Sequence, residues 1–421
     1  MRDFDLCGTG SEGQFSLRNF TTMTRSIPVC FPLALALLFP FALLAETRTW
    51  TNASGVEIEA DYLEHGDGQV KIRRLADGRV FTIAVATLSE ADRDWLEERE
   101  RADSPGIYIA AGHGGHRMSS LDGIHWTNHT FWGEPAHNQQ DLKAIAAGNG
   151  ICVVVGGFSK SNILTTTDGV NWHENEFNIG VLSGVFFVDG RFLVFSESGR
   201  VAESEDGIAW KAAGDARLRE FQAAEAERLG LDEPVKSNIR RWRHAHGLFV
   251  GAGDNGIIVS TRDFETWQWA ERLEPRSRLF IESEGKGFVV RGDRTLHHSV
   301  DGLEWIDVSP GFGERTKLSS LVHDGERFLV NERGTGVAWE SSDGRTWSEV
   351  KGATFPNTIA AVRPDLYYSF DVYWKFTEEM LISTDGGRNW ESVVLPGPAG
   401  VTCIVHAGEI PPFPSTEQEI E

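Results

Sequence analysis

One short phrase recurs seven times in this chain of 421 residues, and it constrains the fold more than any other feature. Each copy reads Ser or Thr, any residue, Asp, usually Gly, and then Trp four or five residues after the Asp. The separations between successive copies are 46, 38, 57, 38, 42 and 42 residues. Regular self-similarity at such a period indicates stacked copies of one supersecondary unit. The repeated aspartates are Asp122, Asp168, Asp206, Asp263, Asp301, Asp343 and Asp385.

The same order of apolar stretches and turn signals precedes the phrases. In one unit, residues 151–155 are apolar, the Gly148-Asn149-Gly150 turn precedes them, and Gly156 follows them. Each unit therefore contains four antiparallel strands. A turn joins the first to the second, a loop joins the second to the third, and the Asp phrase joins the third to a fourth strand that begins at the Trp. Four strands in about 42 residues is the period of a β-propeller blade.

The phrase has a structural explanation. Asp and Ser or Thr side chains can hydrogen-bond the backbone of the hairpin between the third and fourth strands, and Gly supplies its positive φ. Seven of the chain's 14 Trp residues occupy the last position, where they can cover that hairpin. The phrase resembles the Asp box, or BNR repeat, of sialidases and many other propellers. The resemblance implies an all-β, seven-bladed β-propeller over residues 107–407, with Asp263-Phe264 as the poorest copy.

The two ends of the repeat region predict how the ring closes. Residues 106–110 look like the second strand of the first blade, and residues 401–406 can supply its missing first strand, which would remove an exposed edge. Residues 408–421, rich in Pro and Glu, predict a disordered tail. About residues 214–230 we expect a helical insertion with Leu218, Phe221 and Leu229 on one face and Gly230 at its end.

The chain begins with a predicted leader. Residues 1–22 are polar and could be a start-site artefact, while residues 27–45 are almost wholly apolar and follow Arg25. This pattern predicts a secretory signal peptide cleaved near Ala45, and hence a periplasmic or extracellular protein. The alternative is an uncleaved anchor, which would be the chain's one contact with a membrane. Pro28, Pro32 and Pro40 weaken that run as a spanning helix.

Residues 46–98 predict a small separate module. Three alternating runs, at residues 56–60, 69–73 and 79–83, follow an Arg-x-Trp strand, and Ser89 begins a helix pattern. The module resembles the bacterial form of the SLA1 homology domain 1, an SH3-like fold. In eukaryotes that family is an adaptor that binds short peptides and serves cytoskeletal partners. A simple packing role is the alternative, and residues 99–106 are expected to be a charged linker.

Composition excludes some functions. The chain has 62 Asp and Glu against 40 Lys and Arg, a net charge of −22. Such a charge repels nucleic acid, so nucleic-acid binding is excluded as a main function. Cys152 and Cys403 lie in apolar strand patterns and are expected to be buried, unpaired thiols. His113 and His116 are two potential metal ligands without a third, so neither a metal nor a cofactor is expected.

The candidate ligand face follows from the blade topology. Loops between second and third strands, together with connections between blades, form one face of a propeller, and the Asp phrases lie on the other. The repeated aspartates are therefore poor catalytic candidates. The ligand-face candidates are His113, Trp132, His137, Asp254, Asp293, Arg294 and Trp374.

Three functions are compatible with the sequence. The favoured one is a non-catalytic binding protein for a protein or glycan of unknown identity, because propeller folds do not decide activity. An assembly factor for an envelope complex is a variant of it. The other is a sialidase-like glycoside hydrolase, for which Tyr373, Glu378, Arg240 and Arg294 are the loose match to the arginines, tyrosine and carboxylate that the resemblance would require.

Overall fold

The computed structural model describes residues 47–413 except 67, 104, 133–137, 286, 314 and 371–375. The predicted leader and residues 414–421 lie outside this part. The chain divides into two compact units, residues 1–87 and 88–421. Eight four-stranded antiparallel sheets account for most of the described residues, so the predicted all-β class is confirmed. No helix among these residues is both long enough and apolar enough to cross a membrane.

The described part of the smaller unit is one sheet of order β1-β2-β3-β4. Alternation along the strands turns Trp50, Val70 and Ile72 into the core and leaves their neighbours more exposed. A 3₁₀ turn at Val85–Thr87 follows, and the Ala53 amide donates to the Thr87 carbonyl at 2.9 Å. The strands are β1 (Thr47–Thr51), β2 (Glu57–Gly66), β3 (Gln69–Arg74) and β4 (Val80–Ala84).

Helix α1 (Glu90–Asp103) begins where the sequence predicted and ends later. The Asp92 amide donates to the Ser89 hydroxyl at 3.2 Å, which caps the first turn. The helix continues through most of residues 99–106, so the expected linker is wrong over that stretch. Glu and Arg are good helix formers, and a charged run therefore extends a helix that Pro105 and Gly106 cannot continue.

The described part of the larger unit contains seven four-stranded sheets, numbered here 1 to 7 in chain order of their second strands. Sheet 1 has the order β32-β5-β6-β7, and each later sheet uses four consecutive strands. Sheets 1 to 3 are β32 (Val401–Ala407), β5 (Ile107–Gly112), β6 (Arg117–Ser120), β7 (Trp126–Thr130); β8 (Leu142–Gly148), β9 (Ile151–Gly156), β10 (Asn162–Thr166), β11 (His173–Asn175); β12 (Leu182–Val188), β13 (Arg191–Ser196), β14 (Arg200–Ser204), β15 (Lys211–Asp215). Sheets 4 to 7 are β16 (Ile239–Ala245), β17 (Leu248–Gly253), β18 (Ile258–Thr261), β19 (Gln268–Trp269); β20 (Phe280–Glu284), β21 (Gly287–Arg291), β22 (Leu296–Ser299), β23 (Ile306–Asp307); β24 (Leu318–His323), β25 (Phe328–Glu332), β26 (Ala338–Ser341), β27 (Ser348–Glu349); β28 (Ala360–Arg363), β29 (Leu366–Ser369), β30 (Thr377–Ser383), β31 (Glu391–Ala399).

The first strands of these sheets contact one another in a cycle. Strand β32 contacts β8, each first strand then contacts the next, and β28 contacts β32 again. An apolar cluster fills each interface, as where Phe195 and Trp242 pack between sheets 3 and 4. The sheets therefore surround a common axis, which is the architecture of a β-propeller.

The C-terminal strand completes sheet 1, as the sequence predicted. Strand β32 pairs with β5 in antiparallel register, for example Ile404 with Ala110 and His406 with Tyr108. The tail prediction was wrong for its first residues. Ile410 is buried in the cluster between sheets 1 and 2, and the Glu409 carboxylate accepts a hydrogen bond from the Gly150 amide at 2.9 Å. An apolar side chain within a polar segment is enough to dock it.

Each Asp phrase forms the hairpin between the third and fourth strands. In the first copy, the Asp122 Oδ1 atom accepts from the Ile124 amide at 2.7 Å and the His125 amide at 2.8 Å. Phe264 occupies the usual Gly position with a φ of 63°, and its amide still donates to the Thr261 hydroxyl at 3.0 Å. Packing in the cluster between sheets 3 and 4 compensates for that strained conformation.

Helix α2 (Leu218–Leu229) is the predicted insertion, between β15 and β16. Gly230 ends it with a φ of 67°. Leu218 is buried and Phe221 stacks on Trp269 with ring centroids 4.0 Å apart, as expected of a packed face. Leu229 is 51% exposed, so the packed part of that face does not reach the last residue of the helix. The buried part of the helix ends at Ala226, and the last residue extends beyond it.

Candidate ligand-binding face

The ring has two faces of different construction. Because neighbouring strands are antiparallel, loops joining second to third strands lie on the same side as connections between sheets. We call this side the loop face; the Asp phrases lie on the opposite side. The loops of the loop face hold five of the predicted candidates, while His137, Tyr373 and Trp374 lie outside the described residues. The five are His113, Trp132, Asp254, Asp293 and Arg294.

His113 is held inside its loop and is not presented to solvent. Its Nδ1 atom lies 2.6 Å from the Asp141 Oδ1 atom, and its ring centroid lies 5.3 Å from that of Phe376. The Gly114 amide donates to the same carboxylate oxygen at 3.1 Å. Trp132 covers Gly115 so closely that a Cβ atom there would lie 2.5 Å from the Trp132 Cβ atom. These contacts give both candidates a packing role.

His116 is fully buried in the same loop, and neither ring nitrogen has a hydrogen-bond partner among the described residues. Its ring centroid lies 4.8 Å from that of His129. Burial and the neighbouring His129 lower the pKa of His116 to about 3. The imidazole is therefore neutral at physiological pH. No group of three potential metal ligands occurs in the described residues.

Ion pairs link Arg240 and Asp254 into a chain across sheets 2 to 5. The Glu197 carboxylate accepts from Lys143 at 2.9 Å and from Arg240 at 2.7 Å. Asp254 accepts from Arg240 at 2.8 Å and from Arg278 at 2.9 Å. Burial alone would raise the pKa of Asp254, but the hydrogen bonds from these two arginines hold it below its usual value. Arg240 is thus engaged by two carboxylates.

A group of exposed cations lies on the loop side of sheets 5 and 6. No carboxylate lies within ion-pair distance of them in the described part of the chain. Backbone bonds hold their loops side by side: the Leu318 amide donates to the Asp293 carbonyl at 2.8 Å, and the Arg333 amide to the Lys317 carbonyl at 2.7 Å. We call this group the cationic sector, and it consists of Arg294, Arg315, Lys317 and Arg333.

Two neighbouring acidic residues, Asp293 and Glu274, form no ion pair with this sector in the described part of the chain. Asp293 is exposed beside Arg294, while the Glu274 carboxylate accepts from the Thr295 hydroxyl and from the Asp293 amide. The sequence singled out Arg294 and Asp293 but missed Arg315 and Lys317. Their position in a connection between sheets was the available signal, because such connections share the loop face.

The described residues of the hydrolase hypothesis lie on different sheets and form no direct bond with one another. Arg240 lies in the first strand of sheet 4, and Arg294 follows the second strand of sheet 5. Glu378 is exposed on β30, the third strand of sheet 7. No hydrogen bond or ion pair joins Arg240, Arg294 and Glu378 in the described residues.

Comparisons with known proteins found structural similarity without sequence similarity. The chain matches no protein-family model, and no curated protein matches it. It is similar to YCF48 bound to a D1 peptide, with 14% identity, coverage of 69% of this chain and 89% of that chain, and a TM-score of 0.47. It is also similar to virginiamycin B lyase from Staphylococcus aureus, with 10% identity, coverage of 70% and 97%, and a TM-score of 0.44. A GH74 xyloglucanase from Xanthomonas campestris has 13% identity, coverage of 69% and 50%, and a TM-score of 0.41. The propeller fold of this chain is defined by its own strand pairing and cyclic contacts.

Proposed function

We propose that the seven sheets are the blades of an exported Asp-box propeller that acts as a non-catalytic protein-binding scaffold. Its loop face binds an acidic segment of a partner protein. The observation that carries this proposal is the cationic sector, four exposed side chains without an ion-pair partner among the described residues, in a chain of net charge −22. These charges attract anionic groups, and we propose that the carboxylates of a protein segment supply them.

The electrostatics support an acidic partner in two ways. The excess of carboxylates elsewhere on the chain repels such a segment, which leaves the sector as the favourable place of approach. Arg294, Arg315 and Arg333 each carry a planar guanidinium that can hold a carboxylate through two hydrogen bonds. Because the sector is exposed, its contribution should depend strongly on salt.

A labelled hexaglutamate peptide tests this proposal by fluorescence anisotropy. We expect the wild-type chain to bind it and the affinity to fall as NaCl rises from about 50 to about 300 mM. Arg294→Glu combined with Lys317→Glu should weaken binding at least about tenfold, because like charges then face the peptide. Arg345→Glu combined with Arg388→Glu makes the same charge change on the Asp-phrase side and should bind normally. Equal loss in both double variants, or no saturable binding by the wild type, would overturn the proposal.

The non-catalytic part of the proposal has its own test. Glycoside hydrolysis needs a suitably placed pair of acid and nucleophile or base, and Arg240 is already held by Glu197 and Asp254. We expect no release of fluorophore from a fluorogenic sialoside. If the wild type released fluorophore and Glu378→Gln did not, the protein would be a hydrolase and the non-catalytic proposal would fail.

Export and the N-terminal module form the remaining part of the proposal. We propose that the leader directs export, and that residues 46–98 are an SH3-like adaptor related to SLA1 homology domain 1. The four-stranded sheet followed by the 3₁₀ turn at Val85–Thr87 supports the second point. Mass spectrometry of the exported protein should find a mature N-terminus near Glu46. A chain retained in the cytoplasm with its first 45 residues intact would contradict export.

A further inference from the structure

The first strands share an irregularity near the loop face. Five of the seven first strands pair irregularly with the second strand of their sheet. In each, the pairing register shifts at a point one or two residues from the strand end on the loop face. Such shifts re-aim side chains and are common beside functional sites. All residues at the shifts are polar: Lys143, Ser183, Arg240, Ser319, Ser320 and Thr402. The seven first strands surround the central channel of the ring, as in propellers generally. The residues at the shifts lie around its loop-face end, and we call them the polar collar.

Most of the collar is satisfied by bonds between neighbouring sheets. The Ser183 hydroxyl donates to the Ile239 carbonyl at 2.9 Å, and the Thr402 hydroxyl donates to the Leu142 carbonyl at 2.6 Å. Lys143 and Arg240 share the Glu197 carboxylate. These side chains are therefore not free to hold a ligand.

Arg241 is the exception. It follows the collar residue Arg240 on β16 and pairs with Ala252, so it lies just below the collar on the innermost strand. Its guanidinium is partly buried and makes no hydrogen bond or ion pair with the described residues. Two residues along, Arg243 is fully engaged by the Glu282 carboxylate. Arg241 therefore forms no ion pair of its own in the described part of the chain, and the Glu282 carboxylate that acts on its charge is bonded to Arg243.

The surroundings do not neutralise this charge. Among the described residues here, five cations stand against three carboxylates, Glu197, Asp254 and Glu282; the cations are Lys143, Arg240, Arg241, Arg243 and Arg278. Cys403 follows the collar residue Thr402 on β32, as Arg241 follows Arg240 on β16. Burial raises the pKa of the Cys403 thiol to about 12, so it is uncharged. Burial and the neighbouring Arg243 lower the pKa of Arg241 more than the Glu282 carboxylate raises it. A partly buried cation without a partner is costly, and a bound anion would remove that cost.

We infer that the loop-face end of the central channel is a binding site for a small free oxyanion, a carboxylate or phosphate, with the Arg241 guanidinium as its anchor. The guanidinium supplies two parallel N–H donors that match two oxygens of such an anion. The site lies on sheet 4 inside the ring, and it is distinct from the exposed cationic sector on sheets 5 and 6.

Equilibrium dialysis of the full-length chain with radiolabelled inorganic phosphate, at constant ionic strength, tests the site. We expect one saturable site per chain, competition by acetate, and at least about tenfold weaker binding for Arg241→Gln. Arg241→Lys keeps the charge but loses the paired donors, so it should bind with intermediate affinity. Arg388→Gln, at an exposed arginine on the Asp-phrase side, is the matched control and should bind phosphate normally. Circular dichroism melting of each variant establishes that it is folded.

The outcomes separate a free anion from a carboxylate carried by a protein. No saturable phosphate binding by the wild type, or unchanged binding by a folded Arg241→Gln chain, would overturn the site. A third result would also overturn it: Arg241→Gln loses hexaglutamate binding while the wild type binds no phosphate. The anion that Arg241 holds would then be a carboxylate of the partner protein. Failure of hexaglutamate binding alone would affect the scaffold proposal and leave this site standing.

Discussion

Asp385 accepts four hydrogen bonds inside a single turn. They come from the Ser383 hydroxyl at 2.8 Å, the Arg388 amide at 3.0 Å, and the Asn389 amide and side chain at 2.9 and 2.6 Å. The aspartate therefore holds the hairpin between the third and fourth strands of sheet 7. It faces away from the loop face, so its role is in stability.

Replacement of this residue gives a direct test of that role. Asp385→Ala should lower the free energy of unfolding by roughly 1–3 kcal/mol, because backbone donors lose a charged acceptor. Urea unfolding measures the change. Asp365→Ala is the matched control: Asp365 is exposed and bonded to Arg363 at 2.7 Å, and such surface pairs contribute little. A variant with normal stability but no peptide binding would mean that the phrases lie on the ligand side.

The repeated aspartates also predict how stability changes in acid. Backbone amides, with lesser help from side chains, hold the pKa values of Asp343 and Asp385 at about 2. An unfolded Asp has a pKa of about 3.9, so the charged form is favoured in the folded chain. The resulting stabilisation is complete above the unfolded value and is lost as the pH falls toward about 2.

A double variant isolates this effect. In Asp343→Asn combined with Asp385→Asn, the unfolding free energy should change less steeply between about pH 4 and pH 2 than in the wild type, because neither side chain titrates. Urea unfolding at several pH values within that window supplies the slopes. Parallel slopes for the two chains would contradict the assignment.

At the scale of elements, the polar collar explains how neighbouring first strands are joined. The ladder hydrogen bonds of each innermost strand stay within its own sheet, and a few backbone bonds at the loop-face ends, such as that from the Ile239 amide to the Glu197 carbonyl, cross to the neighbouring sheet. Most other contacts between sheets depend on side chains. Thr402 on β32 reaches the Leu142 carbonyl of β8, and Ser320 on β24 accepts from the Ile359 amide at 3.0 Å. The collar thus adds directional bonds to interfaces that are otherwise apolar.

Thr402→Val tests one of these bonds with little change in shape. We expect a loss of about 1–3 kcal/mol in stability, since the Leu142 carbonyl loses its donor while the side-chain volume is kept. Thermal and urea unfolding measure it. Thr377→Val is the matched control, because the Thr377 hydroxyl lies 3.5 Å from its acceptor, the Ala399 carbonyl. Equal losses for the two variants would remove the special role of the collar.

Elements defined by local chemistry were predictable from sequence, and those defined by distant partners were not. The Asp phrases close within four residues, so spacing and residue type identify them. The pair between Arg240 and Glu197 joins positions 43 residues apart, and no pattern in the sequence records it. The same holds for Arg241, because whether it forms an ion pair depends on which other residues bind the carboxylates near it. Helix α1 was cut short because charge was treated as a linker signal, although Glu and Arg favour helix.

At the scale of the whole ring, closure depends on one strand from the far end of the chain. Strand β32 pairs with β5 and also contacts β8 and β28, so it joins sheet 1 to both neighbours. Every residue of β5 is buried. Without β32, the apolar side chains of Ile107 and Ile109 would lose their cover from Val405 and Ala407. The edge of β5 would also present unpaired amides and carbonyls.

Truncation separates closure from the residues beyond it. A chain ending at Gly400 should lose cooperative unfolding and elute as aggregates, because an open ring exposes both a sheet edge and an apolar interface. A chain ending at Phe413 keeps β32 and the buried Ile410, and it should melt like the full-length chain. A synthetic peptide of residues 401–413 added during refolding of the shorter chain should restore monomeric elution and the melting transition. If the chain ending at Gly400 were monomeric with a normal melting temperature, β32 would not be what closes the ring.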